Sequence, residues 1–370
     1  MTDSATGIKT RYVYDLVGRL SEISRKNNSG LLLQILRSYD GESRLTSQTV
    51  SYADGKRYTT SLTYNPNGTP MGMTSGVVGT GYTYDGMWRI SGIDSEINVI
   101  DRSFTYRTNP STSQIAQLLY TNLKGGYAFK YTYDNRGNIA SYHLDCTNNG
   151  YDEAEFEYTY DTQNQLVRAT DGTVTYTYTY DNGGNITAAN GHTYTYGDSE
   201  WKDLLTAYDG QSITYDGIGN PTSYYNGTRW TFTWEHGRQL ATMSANGTTW
   251  TNTYGGDGLR TKRSGSNGVS YTYVYDNGKV TGVQRTENGS TLNMWIVYDE
   301  SGPVTIKYGS GTFRYVLNQQ GDVIALLNSS GESVVEYTYD AWGNVLSITG
   351  TFDYNLGIHN PIRYRGYVYD

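Results

Sequence analysis

Eight aspartates close aromatic-rich stretches, at Asp15, Asp85, Asp134, Asp161, Asp181, Asp216, Asp276 and Asp340. Paired carboxylates can work as general acid and base, and clustered ones can hold a hard cation. Recurrence argues for another duty. A catalytic pair is needed once, whereas these acids return with each copy of one phrase, so they read as caps of the turns that follow them. No Asp-x-Asp-x-Asp-Gly loop, Gly-x-Ser-x-Gly elbow, P-loop or zinc-ligand spacing occurs. His143, His192, His236 and His359 stand far apart, and the single cysteine, Cys146, leaves no internal disulfide and no cysteine-based metal site. No catalytic residue, cofactor or metal is therefore expected. The surplus aromatics Trp201, Trp230, Trp234, Trp250 and Trp295 are the better candidates for stacking on a sugar or peptide, with core filling as their plainer duty.

The phrase that carries the aspartates explains the composition. The chain has 370 residues, of which 39 are Tyr and 44 are Gly. Without the tyrosines, the 36% apolar fraction falls to about a quarter of the chain, too little aliphatic material for a helical bundle or a doubly wound α/β fold. The phrase runs aromatic, any residue, Tyr, Asp, two or three residues, Gly, a polar residue, an aliphatic. It reads Tyr12-Val-Tyr14-Asp15-Leu-Val-Gly18-Arg19-Leu20, then Tyr82-Thr-Tyr84-Asp85-Gly-Met-Trp-Arg89-Ile90, then Tyr131-Thr-Tyr133-Asp134-Asn-Arg-Gly137-Asn138-Ile139. Later copies are Tyr158-Thr-Tyr160-Asp161, Tyr178-Thr-Tyr180-Asp181-Asn-Gly-Gly184-Asn185-Ile186, Tyr215-Asp216-Gly-Ile-Gly219-Asn220 and Tyr337-Thr-Tyr339-Asp340-Ala-Trp342-Gly343-Asn344-Val345. Alternating Tyr-Thr-Tyr puts both rings on one face of a strand. Asp ends the strand by accepting turn N–H groups, and Gly supplies the positive φ that closes the turn. The aliphatic starts the return strand.

The intervening segments also read as hairpins. Asn-Gly pairs begin at Asn67, Asn149, Asn182, Asn190, Asn226, Asn246, Asn267, Asn277 and Asn288, and Asp-Gly pairs at Asp40, Asp54, Asp85, Asp171, Asp209, Asp216 and Asp257. These are the strongest short-range hairpin signals. The stretch 238–350 parses as alternating strands and such turns almost without remainder. The best helical candidate, Gln114–Leu119, is too short to stand alone. The sequons at Asn67, Asn226, Asn246 and Asn288 overlap Asn-Gly turns, which explains them without glycosylation. With 36 acids against 28 bases and a pI near 5.1, the chain lacks the basic footprint of a nucleic-acid binder. Apolar runs such as Leu31–Leu33 fall far short of a membrane helix, and the N-terminus reads as carrying no signal peptide.

These phrases resemble the YD repeat of the RHS family. The resemblance covers essentially the whole chain and sharpens at Tyr315-Val-Leu-Asn318-Gln-Gln-Gly321-Asp322, Tyr337–Asn344 and Asn360-Pro361-Ile-Arg363-Tyr364-Arg365-Gly366-Tyr367-Val-Tyr369-Asp370, which look like the start of the bacterial RHS-repeat-associated core. Related repeats occur in Tc toxin shell components, wall-associated surface proteins and teneurins. The resemblance implies an all-β ribbon of consecutive antiparallel hairpins that spirals into a curved, open shell fragment. It implies a YD-repeat ribbon over 1–300 and a truncated core start over 301–370, without a toxin domain. No Asp-Pro dipeptide is present, so the self-cleavage of bacterial members does not carry over.

Function follows as an expectation. The chain is read as a non-enzymatic module of a shell around a C-terminal toxin or effector in a bacterial secreted or cell-surface protein of polymorphic-toxin type. The rival is a surface adhesion or carbohydrate-binding module meeting glycans with exposed aromatics. About sixteen hairpins at ~4.8 Å per strand give a ribbon of roughly 150 Å. A shell around a domain of about 130 residues needs a circumference of about 160–190 Å, so the chain is expected to make about one turn at most and to be a fragment.

Overall fold

The computed structural model describes residues 9–369 apart from 29, 53–54, 76–77, 96–100, 109–110, 123–124, 148–153 and 300. Asp54, Asn149 and Asp370, and the N-terminal residues searched for a signal, lie outside the described residues. Among the described residues the chain forms 33 strands and two short helical turns, Asp353–Gly357 and Tyr364–Gly366. It is an all-β ribbon of antiparallel hairpins. It divides into two compact units, residues 1–127 with 329–332, and residues 128–328 with 333–370.

In the first unit, strands from Lys9–Tyr14 through Asp101–Thr108 each pair antiparallel with the next in sequence. Gln114–Leu119 falls inside the strand Ser111–Asn122. The buried side chains include Leu33, Ile35, Val50, Met73 and Ile93.

In the second unit the same rule runs from Ile139–Thr147 to Gln211–Ser212, and again through a 14-stranded sheet from Thr214–Tyr215 to Val345–Thr349. The parsed stretch behaves as its turns require. Thr248–Tyr254, Arg260–Gly265, Ser270–Asp276, Lys279–Glu287 and Ser290–Asp299 are strands, separated by turns at Gly255–Gly258, Gly265–Gly268, Asn277-Gly278 and Asn288-Gly289. Strands of the phrase alternate as expected. In Thr175–Tyr180 the tyrosines are buried or half-buried and the threonines exposed, the pattern of a sheet covered on one face. Toward the C-terminus the alternation stops. Val323–Leu327 is buried at every position. There Met294, Ile296, Ile306, Leu317, Leu326 and Val335 form a continuous core with Leu356 and Ile362 of the segment that follows the last strand.

Candidate functional site

The repeated turn is built first. Asp15 ends its strand; its backbone N–H donates to the Arg19 carbonyl (2.8 Å), and Gly18 N–H donates back to the Asp15 carbonyl (3.0 Å). One carboxylate oxygen accepts the N–H groups of Val17 and Arg19, and the other accepts Arg19 Nε. A bulge lies between Val13 and Tyr14. The plan repeats at Asp85, Asp134, Asp161, Asp181, Asp216 and Asp340, where Oδ1 takes the N–H groups two and four residues on. Gly137, Gly184, Gly219 and Gly343 adopt positive φ as Gly18 does. Where the phrase lacks Gly, Trp88 and Asn164 take φ 60° and 64°. The side-chain amide of Asn138 holds the Asp134 carboxyl below its ordinary value, and that of Asn185 does so for Asp181. Bonds from backbone N–H groups do most of this at Asp15 and Asp216. These carboxylates are occupied by their own turns, which leaves them poor bases.

At most of the hairpins the tyrosine that ends the strand has a second duty that sequence patterns did not reveal. Its hydroxyl donates to the backbone carbonyl of a residue at or near the start of the return strand of the preceding hairpin. Tyr39 reaches Leu20 (2.8 Å), Tyr64 reaches Leu45, Tyr84 reaches Pro70 and Tyr106 reaches Ile90. In the second unit Tyr160 reaches Ile139 (3.0 Å), Tyr180 reaches Leu166 (2.7 Å) and Tyr339 reaches Val323 (2.9 Å). Tyr215 reaches Leu205, Tyr254 reaches Leu240, Tyr275 reaches Arg260 and Tyr298 reaches Val280. Trp234 plays the part with its indole N–H on the Pro221 carbonyl (2.7 Å). The ring packs as a ladder residue while the hydroxyl ties neighbouring hairpins. In the first unit arginine adds a further tie. Arg19 donates to the Asp40 carbonyl (2.8 Å) and lies 4.9 Å from the Tyr39 ring centroid; Arg44 does the same with the Asn65 carbonyl and Tyr64, and Arg89 donates to the Thr112 carbonyl and lies over the Tyr106 ring.

Tyr14 is exposed. Tyr133 departs from the staple: its hydroxyl donates to Gln319 Oε1 (2.8 Å), while Tyr131 accepts the Gln319 N–H (2.9 Å). The second unit therefore returns on itself across 186 residues. The Asn-Pro-Ile-Arg-Tyr-Arg-Gly-Tyr stretch fastens the C-terminal segment. Asn360 accepts the Tyr315 hydroxyl (2.8 Å) and donates to the Ile362 carbonyl (2.6 Å). Buried Arg363 donates to the carbonyls of Gly357, Ile358 and Asn360 and lies 3.9 Å from the Tyr369 ring centroid. Tyr364 donates to the Ala341 carbonyl, Arg365 (φ 55°) donates its N–H to Asp322, and Gly366 has positive φ. An Asn and an Arg in an otherwise apolar setting were the available signal for this fastening.

The return leaves a cleft of about 380 Å³ inside the second unit. One wall comes from strands of 139–176, the other from the turns at Asn318–Asp322 and Asp340–Asn344 with Tyr364 and Arg365. The walls carry Tyr158, Tyr176, Trp342 and Tyr364, and the carboxylates of Asp171, Asp322 and Asp340. Trp342, 48% exposed, meets Tyr178 edge-on with centroids 5.7 Å apart. Burial pushes the Tyr178 phenol up to about 12, and Asp340 pushes the same way. Tyr176 is raised by burial, then by Asp171 and Asp340.

The other singled-out residues are dispersed. His192 pairs with Asp209 (2.7 Å) and His359 with Tyr308 (2.7 Å), far apart in sequence. Trp201 covers Gly219, Trp230 stacks on Tyr224 and donates to Asn226, Arg263 lies over Trp250, and Trp295 is buried. Among the described residues no three His, Cys, Asp or Glu side chains group as a metal site, and no helix is long and apolar enough to cross a membrane.

Comparison with known proteins follows the same lines. Residues 120–370 match the family model described as Teneurin YD-shell. The tRNA3(Ser)-specific nuclease WapA of Bacillus spizizenii is 28% identical over 308 residues, covering 75% of this chain and 13% of that protein. The tRNA nuclease WapA of Bacillus subtilis is 27% identical with the same coverage. Among solved structures, TcdB2-TccC3 aligns with a TM-score of 0.59 at 16% identity, over 99% of this chain and 25% of that one. The Photorhabdus luminescens Tc holotoxin pore aligns with 0.57 at 16%, over 99% and 24%. At this identity the structural likeness shows the fold, and the chain spans 13% of the length of the nucleases it matches.

Proposed function

The chain belongs to the Teneurin YD-shell family, and on that premise we propose that it forms part of the wall of a shell enclosing a C-terminal effector in a bacterial secreted or cell-surface protein. It is a structural shell module with toxin-type relatives. The observation that carries the enclosing role is the staple. Hairpin after hairpin is tied to its predecessor through a backbone carbonyl, and seven of the eight repeated aspartates bond to their own turns. Such a ribbon makes a continuous wall, and the turn bonds leave these carboxylates poor bases. Catalysis in the parent protein then belongs to a domain outside this chain. Residues 1–300 serve as the repeat ribbon, and 301–370 open the associated core.

Protease protection of the parent protein tests this. The segment following the shell should survive protease concentrations that digest the same segment expressed alone. Combined Tyr160→Phe, Tyr180→Phe and Tyr339→Phe replacements should make it cleavable. A segment cut equally fast with and without the intact wall overturns enclosure.

A further inference from the structure

The cleft of the second unit is lined by aromatic rings and carboxylates, and it already holds one cation. The Arg365 guanidinium lies 5.1 Å from the Tyr364 ring centroid and 3.6 Å from an Asp322 carboxylate oxygen. Aromatic faces and carboxylates together attract a guanidinium or ammonium group, more strongly where water is displaced. The same lining carries these ingredients again around Trp342. Trp342 stands half-exposed against Tyr178, with Tyr176, Asp171 and Asp340 beside it. Asp171 and Asp340 both disfavour ionisation of the Tyr176 phenol, which places their negative field at that ring. Among the described residues that line the cleft, Arg365 is the one cationic side chain. The lining also carries the apolar side chains Leu144, Phe156, Leu166 and Ile324.

We propose that the cleft at Trp342 binds the guanidinium or alkylammonium group of an Arg or Lys side chain on an extended polypeptide, whose apolar neighbours meet the apolar part of the lining. Trp342 and Tyr176 offer aromatic rings, and Asp171 and Asp340 supply the opposing charge. The apolar part of the lining favours a basic residue flanked by apolar ones over a small free amine. This holds whether or not the wall encloses an effector.

The probe is an unstructured Gly-Ser peptide carrying Leu-Arg-Phe, compared with the same peptide carrying citrulline for Arg, and with free arginine amide. Binding to the full chain is read by calorimetry at low and high salt. Saturable binding of the Arg peptide is expected, with citrulline about tenfold weaker and added salt weakening the Arg peptide alone. Asp171→Asn keeps the Oδ1 that caps its turn and removes only charge, so it should weaken the Arg peptide several-fold without touching the citrulline peptide. Trp342→Leu should weaken both. Equal binding of the Arg and citrulline peptides, or an Arg peptide unaffected by Asp171→Asn, overturns the cation site. Arginine amide binding as tightly as the peptide overturns the polypeptide assignment. Because protease protection and peptide binding are separate readouts, enclosure and the cation site fail separately.

Discussion

The hairpins of 154–195 and those of 290–349 share one turn rule and are held by different forces. In the first set, Ala154–Tyr160 alternates half-buried and exposed residues, and the fully buried members of its core are Ala169, Tyr178 and Ala189. In the second, successive residues of Ser290–Asp299 and all of Val323–Leu327 are buried, and Leu356 and Ile362 complete the core. The turn and the staple are the same in both. What changes is the number of covered faces. A strand with one wet face can use Tyr and Thr, whose polar ends reach partners or water. A strand covered on both faces reads as a run of Val, Ile and Leu. Register and cohesion thus come from the phrase, and core density comes from what covers it.

Core truncation is the strongest way to break this contrast. Leu326→Ala should cost about 2–5 kcal/mol, since Leu326 is 0% exposed. Leu166→Ala, half-buried in the first set, should cost less than half as much. Chemical denaturation measures both, and equal losses would remove the distinction. Glycine replacements come next. A Cβ on Gly343 (φ +92°) would meet the Tyr364 ring at 2.4 Å, while one on Gly184 (φ +88°) would meet only the end of the Gln165 side chain at 3.0 Å. Gly184→Ala should cost about 1–2 kcal/mol for the left-handed backbone, and Gly343→Ala about 1–3 kcal/mol more for overpacking. Indistinguishable melting of the two variants would show that Tyr364 yields freely.

Staple removal should ignore the contrast. Tyr180→Phe and Tyr339→Phe each delete one hydroxyl bond to a carbonyl, worth about 1 kcal/mol, and should cost alike despite their different cores. The smallest effect concerns acid. Asp134, Asp181 and Asp216 have folded carboxyls below their ordinary value of 3.8. Their contribution is fully present above that value and lost as pH falls through the folded values. Melting followed by circular dichroism should be flat for these groups from neutral pH to about 5 and decline below about 4. A decline beginning near neutral pH would implicate other groups.

The turns were legible in the sequence because their chemistry is local. Asp, the glycine three residues on and the return-strand aliphatic lie within six residues, and Asn-Gly at 277 and 288 marks hairpins by itself. The tyrosine's partner was hidden, because a backbone carbonyl has no residue type and leaves no pattern. The return of Gln319 onto Tyr131 and Tyr133 was hidden for another reason: no local rule sets how tightly a ribbon curls, and the length estimate treated its strands as flat. The segment from Asp353 onward follows no period at all. Its place depends on buried Asn360 and Arg363 bonding to carbonyls. The cleft combines these unreadable parts, since its walls come from strands and turns brought together only by the return.

The carbonyls that receive a tyrosine belong to Leu, Pro, Ile, Val and Arg alike. A joint that addresses only the main chain is blind to its neighbour's identity, so as far as the joint is concerned any hairpin ending in the phrase can follow any other. Duplication, deletion or exchange of whole hairpins would then leave every remaining joint intact, and neighbouring copies could diverge without compensating changes in one another. Among hairpins covered on one face, such a gene could lengthen or shorten by unequal recombination with every joint kept.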